Sequence, residues 1–219
     1  MRTRVKICGI TRSEDGAAAA QAGADAIGLV FWPGSPRCIS REQARAVMAA
    51  LPPFVTVVGL FVDPEPGDVS AILADVSLDV LQFHGDESPQ MCASFGRPFI
   101  KAVPVRTDVD LLQYAARYPA AIGLLFDAYH PGGMPGGKGI TFDWTRLPRA
   151  LTDPMARRLI LSGGLNPDNV AAAIRRVHPW GVDVSSGVEA TDAAGAPRRG
   201  IKSAEKMLAF VREVRDADG

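Results

Sequence analysis

Two side chains in this sequence have the chemistry of a proton-transfer pair. Cys8 follows the short apolar run 5–7, and Asp127 follows the apolar run 122–126. A thiolate can act as a base or a nucleophile, and a carboxylic acid can donate a proton. A carboxylate on an apolar strand also requires a partner or a function. If both face one cavity they form a base and acid pair, whereas the alternative for Cys8 is a small buried apolar residue.

Two glycine-bearing turns follow the last two apolar runs of the chain. Ser162-Gly-Gly leads into a helix predicted to begin at Asn166, and Ser185-Ser-Gly follows the next run. Glycines let backbone N–H groups approach an anion closely, and a helix N-terminus favours negative charge. The pair of turns predicts a phosphate site, with two tight turns that bind nothing as the alternative.

Three further polar residues lie close to apolar runs: one in a loop after a run, one at the end of a run and one within a run. Arg37 lies in a loop and can clamp a substrate carboxylate through two parallel hydrogen bonds, or else be an ordinary surface arginine. His84 can bind substrate or satisfy the backbone of its own loop. We expect Asp183, within an apolar run, to order the neighbouring loops. No spacing of His, Cys and Asp indicates a metal site, so we expect no metal.

The elements that position these residues are short apolar runs alternating with alanine-rich segments. The predicted strands are 5–7, 26–31, 55–61, 80–83, 99–103, 122–126, 159–161 and 182–184. The predicted helices are 13–22, 40–50, 67–74, 88–95, 108–118, 166–177 and 203–214. We expect caps at Ser13, Ser40, Ser88, Asp108 and Asn166.

Continuously apolar strands are typical of a parallel sheet covered on both faces. Eight units over 219 residues predict an α/β protein with a single (β/α)8 barrel domain, residues 1–219, with an open doubly wound sheet as the alternative. In such barrels the active site lies at the carboxyl ends of the strands, where Cys8, His84 and Asp127 are expected.

Composition excludes several classes of protein. With 24 basic and 24 acidic side chains the net charge is zero, which argues against a nucleic-acid binder. The basic cluster Arg198, Arg199 and Lys202 is predicted to be a solvated loop. No apolar run is long enough to cross a membrane, so no membrane partner is expected. Three scattered cysteines do not form a disulfide framework, and we predict a cytoplasmic protein with free thiols.

Taken together, these segments resemble the phosphoribosylanthranilate isomerase family of tryptophan biosynthesis over almost the whole chain. The segments that carry the resemblance are Val5-Lys-Ile-Cys-Gly-Ile-Thr, Gly23-Ala-Asp-Ala-Ile-Gly-Leu-Val-Phe, Ser35-Pro-Arg, Val58-Gly-Leu-Phe-Val, Leu81-Gln-Phe-His-Gly, Phe126-Asp, Gly139-Ile-Thr-Phe-Asp-Trp, Leu161-Ser-Gly-Gly-Leu-Asn-Pro and Val182-Asp-Val-Ser-Ser-Gly-Val-Glu.

The resemblance implies a (β/α)8 barrel that uses no cofactor and converts N-(5′-phosphoribosyl)anthranilate by an Amadori rearrangement. It implies that Asp127 is the general acid, that Cys8 is the general base and that Arg37 faces the anthranilate carboxylate. The phosphate is expected on the backbone around Gly163, Gly164, Ser186 and Gly187, with His84 as a further substrate contact. The partner is then a phosphorylated small molecule, and the sequence leaves monomer and homodimer open.

The sequence departs from the family in the segment 128–141, where Lys138 replaces a small hydroxyl residue after a longer glycine-rich stretch. This segment is a candidate lid, and Lys138 puts its part in phosphate binding in doubt. Near the C-terminus Ser203 stands where the family often has aspartate.

Two other functions remain open. Related phosphate-binding barrels, such as the aminoaldose isomerase of histidine biosynthesis or indole-glycerol-phosphate synthase, would have an aspartate base or a lysine-centred site in place of Cys8. A sensor or scaffold without catalysis would have lost Cys8 or Asp127, yet both are present.

Overall fold

The computed structural model describes residues 2–128, 141–147 and 159–219. Eight parallel strands close into a barrel in which each strand pairs with its neighbours in chain order and the eighth pairs with the first. The prediction of a (β/α)8 barrel is therefore confirmed, and the open sheet is excluded. The barrel strands are β1 (Arg4–Cys8), β2 (Ala26–Val30), β3 (Thr56–Phe61), β4 (Val80–Phe83), β5 (Phe99–Val105), β6 (Gly123–Ala128), β7 (Leu159–Leu161) and β8 (Gly181–Val184).

Helices cover the outside of the barrel. They are α1 (Ser13–Ala22), α2 (Arg41–Ala49), α3 (Pro66–Asp75), α4 (Pro89–Ala93), α5 (Leu111–Ala116), α6 (Val170–Val177) and α7 (Ala204–Asp218). Ser40 and Ser88 cap their helices as predicted, and Ser40 forms a capping box with Gln43. No helix among the described residues is both long and apolar enough to span a membrane.

Three predicted caps were wrong. Ser13 lies inside α1, and Asp110 rather than Asp108 accepts the backbone N–H groups that open α5. Asn166 does not cap α6, because that helix begins only at Val170. Asn166 and Asn169 instead bond to the backbone of the connecting turn, since short amide side chains compete with helical hydrogen bonding.

The predicted solvated loop at Arg198, Arg199 and Lys202 is a strand. Strand β10 (Pro197–Lys202) pairs antiparallel with β9 (Glu189–Thr191) outside the barrel. Arg198 and Arg199 are exposed as expected, whereas Lys202 is only 4% exposed. Glu189 explains the difference, because its carboxylate lies 3.6 Å from the Lys202 ammonium and compensates its burial.

The alternation of side chains along the strands separates two environments. Outward-facing side chains form the large core against the helices, while Ile100, Ala102, Leu125 and Ile160 fill the lower interior of the barrel. Cys8 packs higher in the interior with Val30 and Leu60. The chemistry-bearing residues therefore lie above this apolar cluster, at the carboxyl ends of the strands.

Candidate active site

A cavity at the carboxyl ends of the barrel strands collects most of the predicted site residues. Its lining includes Cys8, Arg37, His84, Asp127, Gly163, Gly164 and Ser186. Gly187 does not line it. Ser162, Asp183 and Ser185 contribute further polar groups. Two polar side chains with proton-transfer chemistry thus face the same space as the two glycine turns.

Cys8 is held in a pocket that its neighbour on β2 leaves open. Its Cα pairs with that of Gly28, and a Cβ built on Gly28 would lie 2.6 Å from the Cys8 Sγ. Burial raises the pKa of the Cys8 thiol, and the ammonium of Lys6 opposes that rise. The thiol is therefore both confined and close to a cation.

Asp127 is joined to a short chain of side chains from β4. His84 Nε2 lies 3.1 Å from Asp127 Oδ2, and Gln82 Nε2 lies 3.1 Å from His84 Nδ1. A Gln82 amide that donates to Nδ1 leaves the ring proton on Nε2, which then donates to Asp127. The backbone N–H of Ala128 donates to Asp127 Oδ1 at 2.9 Å. His84 thus contacts the proposed acid directly.

A buried ion pair fixes the loop that carries His84. The Lys101 ammonium donates to the carbonyls of Phe83 and Gly85, one on each side of His84, at 3.3 and 2.5 Å. It also contacts Glu87 at 3.0 Å, and both side chains are fully buried. The ion pair therefore fixes this loop, because displacing Lys101 would leave the buried Glu87 carboxylate without its counterion.

Arg37 is held by a bidentate ion pair inside the protein. Its Nε and Nη2 donate to the two carboxylate oxygens of Glu189 at 2.7 and 3.0 Å. The arginine stem crosses Gly9, where a Cβ would lie 2.5 Å from Arg37 Cδ. Although burial favours protonation of Glu189, Arg37 and Lys202 hold the pKa of this carboxyl below its ordinary value. Arg37 therefore reaches the cavity from a fixed position, not as a mobile surface side chain.

The two glycine turns pack against each other and against Asp127. Gly163 and Gly164 both have positive φ, and a Cβ on Gly163 would lie 2.7 Å from the Ala128 nitrogen. A Cβ on Gly187 would collide with the Leu165 carbonyl, so this glycine joins the β7 and β8 turns. The expected helix N-terminus next to Gly164 is absent, since α6 begins at Val170. The predicted anion site therefore consists of the turns themselves.

Sequence reasoning missed three residues that shape this site, namely Lys6, Gly28 and Glu189. Lys6 precedes Cys8 by two positions on one strand and so shares its face, which is a signal the sequence contains. The partners of Gly28 and Glu189 are far away in the chain and carry no such local signal. Within the described residues, no group of three or more His, Cys, Asp or Glu side chains is arranged to hold a metal ion.

The candidate lid at 128–141, including Lys138, lies outside the described residues except for its two ends. Its proposed closure over substrate stays a prediction.

Comparison with known proteins assigns the family. The model of the family described as N-(5′-phosphoribosyl)anthranilate (PRA) isomerase matches residues 5–213. The chain belongs to this family. The PRA isomerase of Thiobacillus denitrificans is 55% identical over 215 residues, covering 98% of this chain and 99% of that protein.

Solved structures of PRA isomerases have the same fold. One, in complex with reduced 1-(o-carboxyphenylamino)-1-deoxyribulose 5-phosphate, is 38% identical with a TM-score of 0.79 and covers 98% of this chain and 99% of its own. Another describes monomers generated from the dimeric enzyme of Thermotoga maritima, at 37% identity, a TM-score of 0.79 and the same coverage. Dimeric and monomeric forms therefore both occur among the structural neighbours.

Proposed function

We infer that this chain isomerises N-(5′-phosphoribosyl)anthranilate to 1-(2-carboxyphenylamino)-1-deoxyribulose 5-phosphate in tryptophan biosynthesis, as a single barrel domain over residues 1–219. The observation that carries the inference is that Cys8 and Asp127 line one cavity with the two glycine turns. Both steps of an Amadori rearrangement are proton transfers, for which this pair of groups is suited.

Asp127 starts the reaction as the general acid. It protonates the ring oxygen of the furanose, and the ring opens to a protonated Schiff base. The Cys8 thiolate then removes the proton from the adjacent ribose carbon and leaves an enolamine, which tautomerises to the aminoketone. The enzyme is left with a Cys8 thiol and an Asp127 carboxylate, so before the next turnover the thiol releases one proton to solvent and the carboxylate takes one up. His84, whose Nε2 lies 3.1 Å from Asp127 Oδ2, orients the Asp127 carboxyl group through this hydrogen bond.

The remaining residues bind the two charged ends of the substrate. Arg37, held by Glu189, binds the anthranilate carboxylate, while the backbone around Gly163, Gly164, Ser186 and Gly187 holds the phosphate. These groups line the cavity that holds Cys8 and Asp127, so a substrate bound at both ends presents its ribose carbons to the base and the acid. No cofactor takes part in this scheme.

The reaction can be tested directly. We expect freshly prepared phosphoribosylanthranilate to be consumed by the purified protein, followed as the change in anthranilate-type fluorescence, with the aminoketone identified by mass spectrometry. An unchanged substrate would refute the assignment. Binding of reduced product analogue without turnover would favour a sensor. Turnover of the histidine-pathway aminoaldose alone would favour the related barrel.

The cellular compartment follows from the role of Cys8 as a base. A base at Cys8 requires a reduced thiol, which a reducing cytoplasm maintains.

A homodimer through the amino-terminal mouth of the barrel is supported by Phe54, which is 101% exposed. This side chain lines an apolar cavity of about 330 Å³ together with Ile122, Ile160 and Trp180.

A further inference from the structure

A buried ion pair lies beneath Cys8 in the barrel interior. Lys6 Nζ is 2.7 Å from Asp183 Oδ1, and each side chain is 6% exposed. The two residues are paired in register between β1 and β8, and Ser162 Oγ donates to the other Asp183 oxygen at 3.3 Å. The scheme of proton transfers given above uses neither charge.

The ammonium of this pair lies on the same face of β1 as the Cys8 thiol. Lys6 and Cys8 are two residues apart on β1, so both side chains point into the barrel. Asp183, which accepts a hydrogen bond from the Lys6 ammonium, lines the same cavity as Cys8, so the ammonium lies close to the thiol. On the β2 side of the sulfur, Gly28 has no side chain. It therefore leaves room for Sγ and provides no side-chain hydrogen-bond donor. Lys6 is therefore the polar neighbour that the fold supplies to the sulfur from its own strand.

Three charged groups act on the Cys8 sulfur, each from a different strand. Lys6 on β1 and Lys202 on β10 are cations, and Asp183 on β8 is an anion. Although burial would lower it, Asp183 raises the pKa of Lys6 to about 12, so the ammonium stays charged. Burial lowers the pKa of Lys202 to about 8, which makes it a less dependable cation near neutral pH.

We propose that Lys6 is a positioning residue that holds and stabilises the thiolate form of Cys8, while Asp183 fixes the ammonium at the correct place. The proposal rests on the proposed function, in which the Cys8 thiolate acts as the general base. A buried thiol otherwise favours its neutral form, and a neutral thiol cannot remove a proton from carbon. A nearby cation on the same face of the strand offsets part of that penalty.

The test measures Cys8 itself, apart from turnover. The rate of its alkylation by iodoacetamide is followed against pH by peptide mass spectrometry, because only the thiolate reacts. The decisive variant is Lys6→Met/Asp183→Asn, which removes both charges and leaves no unpaired carboxylate. We expect its Cys8 pKa to rise by at least about one unit, which slows alkylation about tenfold at pH values below the midpoint. Lys6→Gln/Asp183→Asn keeps polar groups at both positions and serves if the first variant does not fold.

The control is Lys206→Met, which makes the same substitution on α7, where the ammonium donates to the Glu189 carbonyl. Its alkylation profile should match that of the wild type. A wild-type profile in both double variants, with a shift only in Lys6→Met, would mean that Lys6 merely neutralises Asp183, and would overturn the proposal. In the double variants the lower pH midpoint of kcat/KM should move with the alkylation midpoint. If even the wild type lacks turnover, the proposed function fails while the alkylation profiles still decide the role of Lys6.

Discussion

At the scale of single residues, Cys8 and Asp127 each lie against a glycine, and a side chain at either glycine would crowd them. Gly28 faces Cys8, and a Cβ on Gly163 would lie 3.1 Å from Asp127 Oδ1. If these two residues transfer the protons, Cys8→Ala and Asp127→Asn should each lower kcat at least ~10²-fold, the scale of lost acid and base catalysis. Steady-state kinetics on phosphoribosylanthranilate measure this, with circular dichroism to establish folding. Near-normal kcat in both folded variants would disprove the assignment.

Gly28 gives a second test at this scale. In Gly28→Ala the new methyl group meets Sγ at 2.6 Å, so the thiol or the strand must shift. We expect kcat to fall at least about tenfold, because small displacements of a catalytic group are costly. The unfolding free energy should also drop by about 1–3 kcal/mol through overpacking. Urea denaturation measures the second effect.

Gly67→Ala is the matched control, because nothing lies within 4 Å of a Cβ at this helical position. It should keep wild-type kcat. Adding Cys8→Ala to Gly28→Ala removes the sulfur and should restore most of the lost stability. If the double variant is no more stable than Gly28→Ala, the contact with Sγ is not the cause.

At the scale of elements, the β9–β10 hairpin connects the proposed carboxylate clamp, Arg37, to the turns proposed to bind phosphate. Glu189 opens β9 directly after the 3₁₀ turn Ser186–Val188, and its carboxylate bonds Arg37 and the Gly200 N–H. In Glu189→Gln one charge-assisted bond to Arg37 is lost and the guanidinium is less fixed. We expect KM to rise at least about tenfold, a loss of 1.4 kcal/mol in binding, with kcat changed much less.

Arg37→Lys separates charge from geometry in the same assay, because an ammonium cannot make the bidentate pair with Glu189. It should raise KM at least as much as Glu189→Gln. If Glu189→Gln lowers kcat and leaves KM unchanged, the hairpin does not position a substrate clamp.

The elements also show what the sequence can predict. All eight barrel strands lie within two residues of their predicted ends, because a strand buried on both faces is continuously apolar. The hairpin was missed, since Arg198 and Arg199 are exposed on β10 and the counterion of Lys202 is 13 residues earlier in the chain. Helix starts failed where two Asp or Asn residues compete for the cap, as at Asp108 and Asp110.

The site itself was predictable only as far as its residues follow strands. Cys8, His84 and Asp127 follow apolar runs, and the barrel brings such positions together at one mouth. The charged residues proposed to act on Cys8 were not predictable in the same way. Lys6 and Asp183 are 177 residues apart, and only the closure of β1 on β8 makes them partners.

At the scale of the whole molecule, the zero net charge hides a strongly polarised interior. Three buried cations, Lys6, Arg37 and Lys202, are paired with only two anions, Asp183 and Glu189, so this group carries one excess positive charge in a chain that is neutral overall. We therefore expect fixed local groups, more than the long-range field of the protein, to bind a small anionic substrate.

The last prediction concerns the opposite mouth of the barrel, whose cavity has a mostly apolar lining together with Arg4, Lys6 and Asp25. Phe54 is fully exposed at a positive φ of 70°, so its loop presents the ring to solvent. Burying an aromatic side chain stabilises by about 1.5–3 kcal/mol, and a symmetric pair of such contacts doubles this gain. We expect light scattering to give twice the chain mass of 23.2 kDa for the wild type.

Phe54→Lys places a charge in that contact and should give a monomer. Because the proposed catalytic residues lie at the other mouth, its kcat should stay close to that of the wild type. Leu208→Lys changes another exposed apolar side chain, on α7, and should remain dimeric. A wild type that stays monomeric at high concentration, or a Phe54→Lys variant that stays dimeric, would show that the amino-terminal mouth is not the interface.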